Sequence, residues 1–299
     1  MKNIKFELTE NTISWEGYTL YQIKACKAFI TSSGIEISEG ELGGWIEKEE
    51  NLSQEGSAWV WKDARVCGAA RVYGDAEIWG NSKVFGDAKV FGNAEIGGNA
   101  EVSGCSKVFG NAKVAGNAKI SDYAEIYDNA EIRNDAKVWE DAKVWEDAVV
   151  RDNAEVAGEA KIFGNAAIKG NAKVAGKAMI FGNAAIKGNS KVAGKAMIFG
   201  DAEVWGDAII SGCSKVFGDT KIGGDAFISS PDNILTVTPL GRYRVSLTAF
   251  KTKENSIKVS YNWDIYTLEK FQSVMNDWTE EEIEVTKAVI EAAKLQLNL

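Results

Sequence analysis

The sequence predicts an all-β-dominated fold: a three-sided parallel β-helix of about ten coils, with a small N-terminal β cap and a C-terminal α+β domain. Three observations predict it. From Val60 to Ile228 every sixth residue is valine or isoleucine, 29 positions in unbroken register. Two residues before each stands a small residue, Ala58, Ala64, Ala70 and onward to Ala226, with Ser82, Ser106, Ser190, Ser214 and Thr220 as the exceptions. A period of 18 lies above the period of six, because residues 167–184 and 185–202 differ at only two of 18 places, Ala172/Ser190 and Asn183/Asp201. Three hexads therefore make one coil.

Residues 1–56 lack the hexad. Alternating stretches such as Ile4-Lys5-Phe6-Glu7-Leu8 and Tyr21-Gln22-Ile23-Lys24-Ala25 predict short strands. A cap belongs there, since an uncovered coil offers a row of unpaired backbone groups. Within residues 57–230, glycine usually follows the aliphatic residue by two and Asn or Asp by three, as in Val90-Phe91-Gly92-Asn93-Ala94. Such residues accept positive φ, so each hexad reads as a short strand and a turn. Between 122 and 152 the glycines give way to Asp122, Asp128, Asn134, Glu140, Glu146 and Asp152, which reads as a hydrated corner in coils that do not need positive φ.

Pro231 ends the pattern and opens residues 231–299. Ile234 to Val259 reads as two or three strands, including Leu235-Thr236-Val237-Thr238 and Ser256-Ile257-Lys258-Val259-Ser260, and a short helix follows Thr267. Thr279-x-x-Glu282 is a capping box and Trp278 stands at staple spacing from Ile283, predicting a final helix over about 280–297. Its apolar residues Ile283, Ile290, Ala293 and Leu297 share one face, which must pack on something.

Composition excludes much chemistry. The 299 residues include no histidine, which removes Ser-His-Asp and Cys-His nucleophile systems, histidine bases and histidine metal sites. Two prolines stand where average usage gives roughly 15, as expected if backbone N–H groups bond from coil to coil. Cys26, Cys67, Cys105 and Cys213 show no metal or redox spacing and read as free thiols. Neither a cofactor nor a metal is called for. No apolar run reaches bilayer length and no apolar signal region follows Met1-Lys2-Asn3-Ile4-Lys5, so a soluble, cytoplasmic protein without a membrane partner is expected. The net charge of -9 splits into -5 over 1–56, -2 over the repeats and -2 over 231–299, an electrostatic footprint that argues against nucleic acid as partner.

The position just after each aliphatic residue divides into stripes when read every 18 residues. One is wholly aromatic: Tyr73, Phe91, Phe109, Tyr127, Trp145, Phe163, Phe181, Phe199 and Phe217. Alternation points these side chains away from the core, giving an aromatic ladder that stacks on itself, is covered by the final helix, or forms a dimer or partner surface. A second stripe contains Arg133, Arg151, Lys169 and Lys187 in succession, either an anion-binding strip or a solvated face balanced by nearby carboxylates. A third, Asn81, Asn99, Asn117, Asp135, Asn153, Asn171, Asn189 and Asp207, reads as an amide ladder bonding coil to coil.

The hexad resembles the left-handed β-helix of hexapeptide-repeat proteins. The G-[ND]-A-x-[VI] form, with Gly43-Gly44-Trp45-Ile46-Glu47 and the run Asn51 to Val60, is similar to the YdcK-like β-solenoid family of bacteria and their phages over roughly residues 18–230. That resemblance implies a left-handed coil and a bacterial cytoplasm, with a phage gene as one source, and carries no established common activity. Hexapeptide-repeat acyltransferases rest as a family on a histidine base and β-helical carbonic anhydrases on three zinc-binding histidines, and this chain has no residue to match either.

The leading expectation is a non-catalytic scaffold that binds a protein partner or its own twin, a dimer before other assemblies, through a surface stripe. The alternatives are a protein sequestering a small anionic ligand, such as a nucleotide in phage-host conflict, at Arg133, Arg151, Lys169 and Lys187, and a degenerate hexapeptide acyltransferase.

Overall fold

The computed structural model describes residues 4–298, and the chain divides into two compact units, Met1–Gly158 and Glu159–Leu299. In both, the hexads form a three-sided parallel β-solenoid on the predicted register.

In the first unit each hexad contributes a two-residue strand, and residue i pairs with residue i+18. Val66, Val84, Val102 and Ile120 line one face, Val72, Val90, Val108, Ile126 and Val144 the second, and Val60, Ile78, Ile96, Val114, Ile132 and Val150 the third. These side chains and the corner alanines are buried. Coil-to-coil bonds continue through the corners, as in Phe91 N–H to Val108 O at 3.0 Å and Asn93 N–H to Gly110 O at 2.7 Å, and that continuity is what excludes proline. Serine replaces alanine at a corner without leaving a buried hydroxyl unpaired. Ser82 Oγ donates to Trp79 O and Ser106 Oγ to Ser103 O, both at 2.7 Å.

The six consecutive corners without glycine between 122 and 152 require a correction to the sequence-based expectation. Asp122, Asp128, Asn134, Glu140, Glu146 and Asp152 all sit at positive φ, between 57° and 63°, like the glycines around them. In these consecutive coils, stacking on the neighbours above and below sets the corner torsion, at about 1–2 kcal/mol for a non-glycine residue, whereas Lys62, at the turn position of the Val60 hexad, does not take positive φ. Local side-chain bonds offset part of that cost. Asp122 Oδ2 accepts from Glu140 N–H at 3.2 Å, Asp128 Oδ2 from Glu146 N–H at 3.4 Å, and Glu140 Oε2 from Gly158 N–H at 2.6 Å.

The solenoid pattern reaches back before residue 57. Ile46 pairs with Val66 and Leu52 bridges Val72, so both occupy hexad positions, but two extra residues before Val60 break the count. The strand Leu42–Ile46 is extended on its other side by the antiparallel hairpin Phe6–Trp15 and Tyr18–Ala25. Gln54 ties the hairpin down as a strand edge would, accepting from Lys5 and Phe6 N–H and donating to Phe6 O.

Lys5 is buried, 1% exposed, and its ammonium donates to Ala58 O at 2.9 Å, with Glu55 O and Gly56 O at 3.4 Å. It thus caps carbonyls at the N-terminal side of the third face. Burial pushes its pKa down to about 8, helped by the charge of Lys27. The unfolded chain therefore binds more protons than the folded one between pH 8 and 10.5. Stability from this group rises with pH across that window, by up to about 3 kcal/mol. Urea unfolding at pH 7 and pH 10 should show this rise as a difference between wild type and Lys5→Met. Equal pH slopes in the two proteins would show that no charge is buried at Lys5.

In the second unit the coils run from Lys161–Ile162 to Phe227–Ile228. A four-stranded antiparallel meander follows: Ile234–Leu240, Val245–Lys251, Ile257–Tyr261 and Asp264–Thr267. Its last strand lies beyond the stretch read as strand from sequence. The meander closes the last coil of its unit through the Ala226–Thr252 bridge, the Thr220–Thr248 hydroxyl contact at 3.2 Å and the Lys258–Asp225 ion pair at 2.7 Å. Helix α1 (Leu268–Val274) starts at its Thr267 cap, and α2 (Glu280–Gln296) starts at the Thr279/Glu282 capping box.

Ile290 and Ala293 of α2 and its C-cap residue Leu297 pack into one core with Leu247, Val259, Tyr261, Phe271 and Trp278, and Gln296 Nε2 donates to Ile234 O at 2.8 Å. Cover by the final helix, one of the three readings of the ladder, is not borne out in the second unit. The apolar face of the final helix is satisfied by its own sheet, while Phe163, Phe181 and Phe199 stay half-buried and Phe217 is 38% exposed.

Candidate interaction surface

Every rung of the aromatic ladder follows a core aliphatic residue, so strand alternation turns it outward. The coil spacing then stacks equivalent rings. In the first unit Tyr73, Phe91, Phe109, Tyr127 and Trp145 follow one another at centroid distances of 4.8, 4.8, 4.9 and 5.6 Å, with planes within 6° of parallel. In the second unit Phe163, Phe181, Phe199 and Phe217 stack at 4.9, 4.9 and 5.6 Å. Isolated aromatic pairs favour offset or edge-on packing; here the strand spacing of about 4.8 Å imposes the face-to-face form. Ring faces cover each other, and the exposed part of the surface is a column of ring edges.

A second column runs beside the rings on the same face, two residues earlier in each strand: Arg71, Lys89, Lys107, Glu125 and Lys143 in the first unit, and Lys161, Met179, Met197 and Lys215 in the second. It lies outside the stripe that follows each aliphatic residue, and the position before each aliphatic, taken every 18, would have revealed it. Glu125 neutralises its middle, pairing with Lys107 at 2.8 Å and Lys143 at 2.6 Å. Hydrogen bonds from these two lysines hold the Glu125 carboxyl below the usual range.

The basic strip is placed differently. Arg133 and Arg151 belong to the first unit, Lys169 and Lys187 to the second. Arg133 pairs with Glu131, and Lys187 pairs with Glu203 while lying 5.6 Å from the Trp205 ring centre. Glu203 also takes Lys221 at 2.8 Å, and the bonds from Lys187 and Lys221 lower its pKa. In the same stripe, Trp79 lies across Gly97 and Trp205 across Gly223, where a Cβ would come within 2.3 Å of either indole.

The amide ladder forms as expected within each unit. Asn81, Asn99 and Asn117 donate in succession to the next coil and end on Asp135, at 3.3, 2.9 and 2.9 Å. Asn171 and Asn189 do the same toward Asp207. A second ladder, Asn93, Asn111 and Asn129 ending on Asp147, runs one corner away. Each series ends where an ionised carboxylate, which only accepts, cannot pass the bond onward.

The thiols differ in environment. Cys67 is buried and its pKa is pushed up to about 12 by desolvation, whereas Cys213 is exposed. Among the described residues no group of three or more metal-ligating side chains forms a metal site, and no helix is long and apolar enough to cross a membrane.

No protein-family model matches the chain, and no curated protein matches it in sequence. Among solved structures it is similar to UDP-N-acetylglucosamine O-acyltransferase from Moraxella catarrhalis, at 13% identity and a TM-score of 0.46, over 83% of this chain and 94% of that one. It is also similar to a putative acetyltransferase of Bacillus cereus, at 11% identity and a TM-score of 0.22, over 85% and 95% of the two chains. The chain itself is a hexapeptide-repeat β-solenoid.

Proposed function

We propose that this protein is a non-catalytic scaffold whose aromatic column is an interaction surface, taken in the first instance by a second copy of the chain and otherwise by a protein partner. The observation that carries this reading is the ladder itself: outward aromatic rungs in register within each unit, half-buried by self-stacking and, in the second unit, left without cover by α2. Within each unit, column edges of this kind are the apolar surface that a monomer seldom leaves open. The G-[ND]-A-x-[VI] hexad supports grouping the chain with YdcK-like solenoids of bacteria and phages. The strip Arg133, Arg151, Lys169 and Lys187 is the second candidate, for an anionic ligand, and takes second place because Arg133 and Lys187 already hold carboxylates. Acyl transfer, the activity named for the similar structures, would here need a base other than histidine.

Light scattering on the purified protein tests the reading. Wild type should be dimeric at micromolar concentration, and Phe91→Glu/Phe109→Glu should be monomeric while retaining its β-rich circular dichroism. A monomeric wild type, or a double variant that stays dimeric, would remove the ladder as the interface.

A further inference from the structure

The ladder of the first unit ends at an unoccupied rung. Ser53 N–H donates to Val72 O at 2.9 Å and Leu52 bridges Val72, so the register places Ser53 where a ring would lie on the N-terminal face of Tyr73. The Ser53 hydroxyl is turned onto its own loop, accepting from Glu55 N–H at 3.0 Å. Among the described residues, the one ring stacked on Tyr73 is Phe91. A cavity of about 610 Å³ opens at this point, with Tyr73, Ser53, Arg71, Lys89, Glu49 and Glu50 in its lining. Its polar groups are unlike those of the coils below. Lys107 and Lys143 are neutralised by Glu125, whereas among the described residues neither Arg71 nor Lys89 pairs with a carboxylate. Both are exposed.

We infer that this cavity is a binding site for a planar nitrogen heterocycle carrying an anionic group, the chemistry of a nucleoside monophosphate, with the ring lying on Tyr73 as the missing rung. Stacking on an aromatic face binds a base without discriminating strongly among bases. Arg71 and Lys89 stand beside the ring column and take the phosphate, a geometry suited to a charge-assisted contact. The carboxylates of Glu49 and Glu50 accept from ring or exocyclic N–H groups. The site is independent of whether the ladder edges form a protein interface, and it is separate from the strip at Arg133, Arg151, Lys169 and Lys187.

Calorimetric titration of the full chain with AMP, GMP, UMP, adenosine and ribose 5-phosphate tests the assignment. At least one of the three nucleotides should bind in the range of tens to hundreds of micromolar. Adenosine should bind more weakly than AMP through loss of the anion, and ribose 5-phosphate should not bind through loss of the ring. Ser53→Phe supplies the rung from the protein itself, and is expected to weaken nucleotide binding by about tenfold or more with an unchanged or higher Tm. Arg71→Ala/Lys89→Ala should weaken AMP about fivefold or more while leaving adenosine within about twofold, and decides the matter if Ser53→Phe does not fold. Absence of binding by all three nucleotides at about 1 mM overturns the inference. So does affinity unchanged in a folded Ser53→Phe, or ribose 5-phosphate binding as tightly as AMP.

Discussion

Ile126→Ala should destabilise the first unit by about 2–5 kcal/mol, the range for emptying a buried aliphatic site, whereas Tyr127→Ala, one residue later, should cost only about 1 kcal/mol. Ile126 is fully buried between Val108 and Val144, with the small corner residues Ser106, Ala124 and Ala142 beside them. The backbone ladder holds those neighbours at fixed spacing, so they cannot collapse into the space left behind. Tyr127 instead lies outside the coil, with Phe109 at 4.9 Å and Trp145 at 5.6 Å. Removing its ring forfeits two stacking contacts, each at the low end of the range of about 0.5–1.5 kcal/mol for an aromatic pair because the face-to-face form is imposed rather than preferred, about 1 kcal/mol together. Chemical denaturation of the two variants compares them directly. Equal losses would mean that the rings belong to the core, and the ladder would lose its standing as a surface.

Gly110→Val should cost about 2–4 kcal/mol, and Gly110→Asn no more than about 1 kcal/mol, with thermal or denaturant unfolding as the measurement. Gly110 has a φ of 72°, and a Cβ there would lie 2.8 Å from the Asp128 nitrogen on the next coil. A β-branched residue meets both the left-handed torsional penalty and overpacking against a backbone that cannot move far. Asparagine tolerates the torsion better and brings an acceptor for the N–H of the corner below, as Asp122 and Asp128 do for Glu140 and Glu146. The native corners without glycine show that the stack can admit a Cβ at this position when the side chain bonds to the next coil. If valine were tolerated as well as asparagine, the corner torsion would be looser than the shared φ values of these residues imply.

Much of the fold was legible because its rules are local and repeated. Val90, Val108 and Ile126 could be assigned to one buried column from a count of 18, and Phe91, Phe109 and Tyr127 to an outward column from the alternation of a strand. The capping box at Thr279 and Glu282 placed α2 within a residue or two. Less was legible where the count was broken. Ile46 and Leu52 are hexad residues, but the two extra residues before Val60 hid the first coil, and with it the serine that stands at the rung above Tyr73. The basic column of Arg71, Lys89 and Lys107 was readable in principle, at the position preceding each aliphatic residue.

The sequence by itself determined the register of the coils, the identity of the three faces and which side chains point inward. Each of those follows from a period of two set inside periods of six and 18. Tertiary structure alone decided that the six corner residues from Asp122 to Asp152 take the left-handed torsions of the glycines they replace, since the coils stacked on either side impose that corner geometry on them against their local preference. It also decided that α2 satisfies its apolar face on the C-terminal sheet. The cavity over Tyr73, where among the described residues Arg71 and Lys89 lack the carboxylate partner that Lys107 and Lys143 have, came from the same level. Such outcomes depend on which groups meet across dozens of residues of chain, and no periodicity records them.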